Sequence, residues 1–206
     1  EVKWLNTASV NPTILSEYDA FGNLIKVTDA NSHITGYHYG TSDTTSTYPD
    51  NSTNAKNQIT SYLYDLGTGN LLSSSDPNGF ITSYLYDTFG RLSKEIKPYD
   101  TASFPTTSYQ YFTDGVAPEG ILVAKRQTSG AAGTLDTYTW ADGLGRVLQT
   151  RAPAENTSQQ IVVDSFYGPS SKVIKQTVPY LTTLSAAYAT PVSGVRATTT
   201  VYDPLD

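Results

Sequence analysis

The side chains of this chain that could carry out chemistry are few and widely spaced. Its two histidines, His33 and His38, lie five residues apart, whereas two ligands on one face of a strand need an even spacing. The chain contains no Cys, which excludes thiolate ligands and disulfides. No nucleophile elbow of the form Gly-x-Ser-x-Gly and no glycine-rich phosphate loop is present. The sequence therefore predicts no catalytic residue, no metal site and no cofactor, and we expect the protein not to be an enzyme.

One carboxylate motif, Asp-Pro-Asn-Gly from Asp76 to Gly79, is similar to the start of a calcium-binding loop. An acidic residue, Asp87, even stands at the twelfth position of that loop. However, Phe80 and Ile81 occupy the fifth and sixth positions, where calcium loops need an oxygen ligand and a glycine. Proline presets φ, and Asn-Gly accepts a positive φ. The motif therefore predicts a tight turn.

Other aspartates recur along the chain with a fixed neighbour. Asp19, Asp65 and Asp87 each follow a tyrosine directly, and a glycine comes three or four residues later. A catalytic pair would occur once, so this recurrence favours a role in capping the backbone of a turn. Asp142 follows its aromatic residue, Trp140, by two positions, which leaves room there for a different cap.

The elements that position these aspartates form an internal repeat of about 21 residues. Each copy has an aromatic anchor, a turn, a strand, a second turn and a strand that ends at the next anchor. The anchors lie at positions 18, 39, 64, 86, 111, 140, 167 and 202. The anchor residues proposed as structural sites are Tyr18, Asp19, Gly22, Tyr39, Tyr64, Asp65, Gly69, Tyr86, Asp87, Gly90, Tyr111, Trp140, Gly145, Tyr202 and Asp203.

The strand that leads into each anchor has the pattern Thr-x-Tyr-x-Tyr. Thr82, Tyr84 and Tyr86 alternate with period two and therefore share one face of a strand. Repeated along the chain, the pattern predicts an aromatic ladder across neighbouring strands. The predicted fold class is all-β, a long antiparallel meander of roughly 14 to 16 strands.

Two segments interrupt the rhythm. Residues 41–56 are rich in Ser, Thr, Asp and Asn and predict an inserted, exposed loop. Leu181 to Ala189, bounded by prolines, has helical or irregular potential. No shift in composition marks a domain boundary, so we expect a single repeat array over residues 1–206. The chain contains no Met, which indicates a piece of a longer protein.

Composition excludes several partners. Charged residues make up 16% of the chain, the net charge is −6, and no basic cluster is present. This pattern argues against nucleic-acid binding. No apolar run approaches the ~20 residues that span a bilayer, so we expect no membrane insertion.

The repeat resembles the YD-repeat, or Rhs-repeat, family. Tyr86-Asp87-Thr-Phe-Gly90-Arg91-Leu92 matches the first part of the family motif, and Asp76 to Asp87 matches the second. In this family the repeats wind into a β-spiral shell, found in the B and C subunits of bacterial Tc toxins, in Rhs polymorphic toxins and in teneurins. The resemblance implies a shell segment of a secreted or cell-surface bacterial protein. The self-cleavage motif of the family is absent, so no autoproteolysis or toxic payload is expected from these residues.

Three functions compete at this point. The first is a structural wall whose partners are other segments of the parent shell. The second is a surface adhesin or carbohydrate-binding module that stacks glycans on tyrosines and on Trp140. The third is a self-assembling extracellular fibre, in which identical chains pair through their open strand edges.

Overall fold

The computed structural model describes residues 13–41, 44–113 and 115–203. Its internal contacts divide the chain into two units, Glu1–Pro98 and Tyr99–Asp206. Each unit is described by itself below.

The first unit is an antiparallel meander in which each strand pairs with the next one along the chain. Its strands are β1 Leu15–Tyr18, β2 Leu24–Thr28, β3 Ile34–Tyr39, β4 Pro49–Thr53, β5 Ile59–Tyr64, β6 Leu71–Ser75, β7 Ile81–Tyr86 and β8 Leu92–Ile96.

The second unit is also antiparallel. Its strands are β9 Thr107–Phe112, β10 Glu119–Arg126, β11 Thr134–Ala141, β12 Val147–Pro153, β13 Gln159–Tyr167, β14 Val173–Thr177, β15 Tyr180–Thr183 and β16 Ala197–Thr199. Of these, β10 to β13 are longer, with seven to nine residues. One edge of β13 pairs with both β14 and β15, which follow each other as one interrupted strand. β16 then pairs with β14.

The all-β prediction is confirmed. The described residues form sixteen strands, all paired antiparallel, and no helix. Leu181 to Ala189, where helical or irregular structure was predicted, begins inside β15 and continues without regular structure. No helix of the described residues is long and apolar enough to cross a membrane.

The exposed loop predicted for residues 41–56 is wrong in its second half, because that stretch contains β4. Its sequence, Pro49-Asp-Asn-Ser-Thr53, has a low strand propensity. β4 nevertheless pairs with β3 on one side and with β5 on the other. Two strand partners outweigh the local preference. Of the described residues in this stretch, 41 and 44–48 lie outside strands, and 54–56 belong to the turn before β5.

The predicted aromatic ladder is also wrong as a direct contact between strands. The tyrosine-bearing strands β3, β5 and β7 alternate with β4, β6 and β8, so Tyr62 faces Ser74 and Tyr84 faces Glu95. The tyrosines share one face but lie two strands apart, about 9 to 10 Å. Tyr64 instead stacks on Tyr48 of the β3–β4 loop, with ring centroids 4.9 Å apart.

A β-bulge recurs in the hairpins that the Tyr-Asp turns close. In the β7–β8 hairpin, Leu85 pairs with Lys94 and Tyr86 with Leu92, which leaves Ser93 unmatched. Such a bulge increases the local twist and ends regular pairing. The unmatched residues are Ile25, Asp50, Leu72, Ser93, Leu148 and Ile174.

The two units differ in how much they bury. Among the described residues of the first unit, no apolar side chain is fully buried, and only Asp50 is buried at all. The second unit buries Ala124, Trp140 and Val162 together with a group of polar side chains. The first unit is thus a single layer that local hydrogen bonds must hold.

Candidate functional site

The turn that follows each anchor tyrosine is closed by its aspartate. In the turn 87–91, Asp87 Oδ1 accepts hydrogen bonds from the N–H groups of Phe89 and Arg91, both at 2.9 Å. Arg91 Nε donates to the second carboxylate oxygen at 2.7 Å. Two main-chain bonds complete the turn, from Asp87 N to Arg91 O and from Gly90 N to Asp87 O. The aspartate therefore caps main-chain N–H groups, and both of its oxygens are engaged.

The same five-residue turn closes both ends of the hairpins, which sequence reasoning treated as two different turns. Asp76 Oδ1 accepts from the N–H groups of Asn78 and Phe80, as Asp87 does from its own neighbours. This geometry agrees with the predicted turn at the calcium-like motif. The shared pair of main-chain bonds occurs in turns 19–23, 29–33, 54–58, 76–80, 87–91, 142–146 and 168–172.

The fourth turn position has a positive φ, whichever residue stands there. Gly90 has a φ of 77°, and Ser32 and Asn57 adopt 66° and 58° in the turns of the opposite rim. Glycine adopts this conformation without strain, and asparagine tolerates it better than most residues. The turn geometry therefore persists where the glycine of the motif is missing. The turn after Tyr64 is one residue longer and carries its positive φ at Gly69.

At Asp142 the repeat alignment shifts by one residue. Its turn has the same bonds as the turn at Asp87, with Arg146 Nε 2.7 Å from Asp142 Oδ2. Ala141 pairs with Val147 as Tyr86 pairs with Leu92, so Ala141, and not Trp140, stands at the anchor position. The cap at Asp142 does not differ from the others.

Trp140 is therefore not the repeat anchor that the alignment predicted. It is 8% exposed, and its ring stacks on Phe112 with centroids 5.6 Å apart. A Cβ at Gly120 would lie 2.6 Å from the indole, so only glycine fits opposite it. The indole N–H is buried and makes no hydrogen bond to the described residues. Trp140 is a packing residue, and its ring face is closed to a ligand.

The hydrogen bonds of the turn lower the pKa of several capping carboxyl groups. For Asp65 the N–H of Thr68 is the largest cause, and for Asp142 it is the Arg146 side chain. For Asp87 partial desolvation raises the pKa, but the bonds from Arg91 and Phe89 outweigh it and the pKa is lowered. The ionised carboxylate is therefore the form that the folded turn prefers.

A second contact, which recurs along the chain, joins a hairpin to the one before it. The Tyr86 hydroxyl donates at 2.8 Å to the carbonyl of Leu71, the first residue of β6. Regular pairing of β6 with β7 stops at Ser73 and Ser83. The phenol therefore closes the gap that the bulge opens. We call this contact the tyrosine clasp; its four copies join Tyr39 to Leu24, Tyr86 to Leu71, Tyr167 to Val147 and Tyr202 to Val173.

In the second unit a cation of the preceding turn completes the clasp. Arg146 lies over the ring of Tyr167, 4.8 Å from its centroid, and Lys172 lies over Tyr202 at 4.9 Å. Such contacts contribute about 0.5–1 kcal/mol at exposed sites. Each turn therefore holds the anchor of the next hairpin by two contacts, one to the ring and one to the hydroxyl.

The remaining predicted anchors lie where the sequence placed them along the strands but make other contacts. Tyr18 ends β1, and Tyr64 stacks on Tyr48 as described above. Tyr111 lies in β9 and pairs with Ile121 without a bulge. Asp203 directly follows the clasp tyrosine Tyr202.

A buried polar cluster in the second unit was missed by sequence reasoning. Asp164 is fully buried, and its oxygens accept from Gln149 Nε2 at 2.6 Å and from the Tyr180 hydroxyl at 2.6 Å. Arg151 Nε donates to Gln149 Oε1 at 2.8 Å, so the glutamine connects the cation to the anion. Burial and the bond to Asp164 raise the pKa of Tyr180 to about 12. The sequence did contain a signal for this cluster: Gln149 and Arg151 on β12, and Gln160 and Asp164 on β13, are polar residues at even spacing and so share one face of each strand.

An irregular segment, residues 184–196, lies over this cluster; we call it the strap. Gln149 binds both main-chain groups of Ala189, with Nε2 donating to Ala189 O at 3.0 Å and Oε1 accepting from Ala189 N at 3.2 Å. Gln160 Nε2 donates to Ser185 O. The strap also forms one side of an open groove of about 560 Å³ that Tyr138 and Asp136 line as well. Polar contacts therefore hold the strap in place, although it buries little apolar surface.

Each histidine lies close to an aspartate, His33 within a turn and His38 in strand β3. His33 Nδ1 lies 3.0 Å from Asp29 Oδ2 within turn 29–33, and His38 Nδ1 lies 3.6 Å from Asp50. In the part of the chain that the structure describes, no three His, Cys, Asp or Glu side chains are grouped to hold a metal ion.

Comparison with known proteins identifies the repeat. Residues 18–53 and 64–102 match the family model of the RHS repeat. These ranges contain the turns of the first unit described above, except turn 54–58, and its two clasp tyrosines. No curated protein matches the chain.

Solved structures show the same fold. The crystal structure of TcdB2-TccC3 matches 82% of this chain with a TM-score of 0.66 and 14% identity, and the TcdB2-TccC3-TEV structure matches 93% with the same score and identity. The Tc holotoxin pore of Photorhabdus luminescens, with a TccC3 mutation, matches 82% with a TM-score of 0.57 and 21% identity. The chain spans only 11%, 14% and 9% of these three solved chains.

The clasp predicts the effect of removing one hydroxyl. Tyr86→Phe deletes the donor to Leu71 O and should lower the free energy of unfolding by about 1 kcal/mol. Urea unfolding, followed by circular dichroism, measures this. Tyr84→Phe is the matched control, because its hydroxyl makes no hydrogen bond to the described residues; equal losses in the two variants would contradict the clasp.

The charged cap predicts an acid-sensitive contribution to stability. The pKa of Asp87 is lower in the folded chain than the ordinary value of 3.8 for an aspartate. Its ionised form therefore stabilises the fold above about pH 4, and this contribution is lost as the pH falls through the folded pKa. Asp87→Asn keeps an acceptor oxygen but loses the charge, so it should be less stable at pH 7 and converge with the wild type near pH 2. Urea midpoints over this pH range measure the difference.

The matched variant for this experiment is Asp76→Asn. It removes a charge from the same turn on the opposite rim, where Phe80 replaces the arginine. We expect a smaller loss at pH 7 than for Asp87→Asn. If the urea midpoints of Asp87→Asn and the wild type differed by the same amount at pH 7 and at pH 2, the charge of Asp87 would not contribute to stability.

In the buried cluster, we expect the loss of one tyrosine hydroxyl to lower the free energy of unfolding more than Tyr86→Phe does. Tyr180→Phe leaves Asp164 Oδ2 buried without its donor and should lower the free energy of unfolding by about 1–3 kcal/mol. Equilibrium urea unfolding gives the value. Tyr188→Phe in the strap, whose hydroxyl makes no hydrogen bond to the described residues, should change it little; a neutral Tyr180→Phe would count against the cluster.

Proposed function

We propose that this chain, whose residues 18–53 and 64–102 match the RHS-repeat family model, forms part of the wall of a secreted, shell-building bacterial protein of the toxin-enclosing type. Residues 1–206 act in this proposal as one repeat array. The partners of the array are further segments of the same parent protein. The proposed role is structural, with the chain serving as a scaffold.

The observation that carries the proposal is the clasp between successive hairpins. In the first unit, the hydroxyls of Tyr39 and Tyr86 tie their hairpins to main-chain carbonyls of the preceding ones, and the described residues of this unit have no buried apolar core. A repeat that contacts mainly its neighbours can be extended indefinitely. This is the property that a wall requires, and it needs no ligand.

The fold neighbours support the same proposal. They are chains about seven to nine times longer than this one, and one of them is part of a Tc holotoxin pore. Segments of this fold thus occur within much larger assemblies. The acidic composition, with a net charge of −6, would also keep such a surface soluble.

The glycan-binding adhesin loses one member of the aromatic platform, the tyrosines and Trp140, on which it was based. The ring of Trp140 lies against Phe112 and Gly120. A sugar cannot stack on a ring whose faces are covered. We therefore do not carry this alternative further.

Electron microscopy of the full-length gene product that contains these residues tests the wall. We expect a hollow particle in which the segment lies in the enclosing layer, and a passenger domain inside it should resist added protease. In the full-length product, the pair Tyr39→Phe and Tyr86→Phe should make the passenger sensitive to protease, because two clasps are lost. Tyr37→Phe with Tyr84→Phe is the matched control. An extended or solid particle would overturn the proposal.

A further inference from the structure

One dipeptide of this chain, Asn78-Gly79, has the residue types that favour spontaneous deamidation. In this reaction the main-chain nitrogen of the following residue attacks the side-chain amide carbon of an asparagine. A glycine at the following position hinders the attack least, because it has no Cβ and its main chain is the most permissive. The sequence contains no second Asn-Gly pair. The pair stands at the third and fourth positions of turn 76–80, which connects β6 to β7.

The structure leaves the side chain of Asn78 open to this attack. The residue is exposed, and its amide group makes no hydrogen bond to the described residues. The turn holds only the main chain: Asn78 N donates to Asp76 Oδ1 at 2.8 Å, and Gly79 N donates to Asp76 O at 2.9 Å. No atom would lie within 4 Å of a Cβ added at Gly79. The amide group can therefore rotate toward Gly79 N without first breaking a side-chain contact.

Two other places in the chain each meet one of these conditions and lack the other. Turn 29–33 has the same main-chain bonds and an exposed asparagine, Asn31, at its third position, but Ser32 follows it. Asp142 is followed directly by Gly143, but both of its carboxylate oxygens accept hydrogen bonds within their own turn. An ionised carboxylate that is held in this way is a poor target for the attack.

From this comparison we propose that Asn78 is a site of spontaneous deamidation in the folded chain. A bond forms between Gly79 N and Asn78 Cγ, and the bond from Cγ to the amide nitrogen breaks. Ammonia leaves with the proton that Gly79 N gives up, and a cyclic succinimide remains. Water then opens the ring. Opening at Cγ gives an aspartate with the original main chain, and opening at the main-chain carbonyl carbon gives isoaspartate, whose main chain runs through Cβ and Cγ.

The two products should affect the turn differently. Aspartate keeps the main chain and adds one negative charge close to Asp76. Isoaspartate lengthens the main chain by one carbon, which changes the spacing that the bond from Gly79 N to Asp76 O requires. Only three residue pairs join β6 to β7 in regular register, and they begin at this turn. The isoaspartate product should therefore weaken the pairing of these two strands as the chain ages.

Peptide mapping by mass spectrometry tests the reaction after the whole folded chain has been incubated in mildly alkaline buffer. The peptide that contains Asn78 should gain the mass that replacing –NH2 by –OH adds, and electron-transfer fragmentation should locate isoaspartate at this position. We expect this peptide to convert at least about tenfold faster than the peptide that contains Asn31. Asn78→Gln should remove the mass gain, because the longer side chain forms the corresponding ring much more slowly.

Exchanging the following residues between the two turns is the matched control. Ser32 has a φ of 66° and Gly79 a φ of 83°, so the two positions share one main-chain conformation. Ser32→Gly should speed the conversion of Asn31 at least about tenfold, and Gly79→Ser should slow that of Asn78 to a similar extent. The circular dichroism of both variants should stay that of the wild type. Equal rates at Asn31 and Asn78 in the wild type, or no mass gain at Asn78 in the folded chain, would overturn the proposal.

Urea unfolding of the isoaspartate form, separated from the aged sample by chromatography, tests its effect on the turn. The urea midpoint of this form should lie below that of the freshly prepared chain. Asn78→Asp carries the charge without the longer main chain and should keep most of the stability. An isoaspartate form with the midpoint of the fresh chain would show that the modification leaves the pairing of β6 and β7 intact, against the proposal.

Discussion

The hydrogen bond from an anchor tyrosine hydroxyl to a main-chain carbonyl of the preceding hairpin is the constraint on which the first unit depends. A bulge next to each Tyr-Asp turn ends the regular pairing between hairpins, so three residue pairs at the far rim are all that joins β6 to β7 through the ladder. Tyr86 restores a contact at the near rim. Since no apolar side chain among the described residues of this unit is fully buried, a local bond of modest strength has an unusually large share in keeping neighbouring hairpins together.

The second unit uses a different principle. Its longer strands bring Gln149, Arg151 and Asp164 onto one face, and the strap lies over them. Removing charges from water is costly unless each has partners. Here Asp164 has a donor at each oxygen, and Gln149 serves both the cation and the anion. The cluster therefore positions the strap through directional bonds, which specify a single placement better than a loosely packed apolar contact would.

Much of this architecture was predictable from the sequence, because the repeat and the period-two alternation are local signals. The strand boundaries around Tyr62 and Tyr84 and the turn at Asp76 followed from them. The rest depended on the partners of each segment. β4 forms from Pro49-Asp-Asn-Ser-Thr53 because two strands need a partner between them. Trp140 was assigned to the anchor position because the bulge, which sets the register at Ala141, has no sequence signature of its own. The buried cluster combines polar residues from β12, β13 and β15, and their proximity is a property of the sheet.

Because most contacts in the first unit join adjacent hairpins, its cooperativity should be short-ranged. The free energy of such an array is approximately a sum of the contribution of each hairpin and a coupling between neighbours. A destabilising substitution in one hairpin then makes that hairpin open more often. Its effect falls off within a few strands and does not unfold the whole sheet. Substitutions in one copy of the repeat therefore have little effect on the stability of the other copies. This explains how turns as different as Asp-Ala-Asn-Ser-His and Asp-Thr-Phe-Gly-Arg can persist side by side in one sheet.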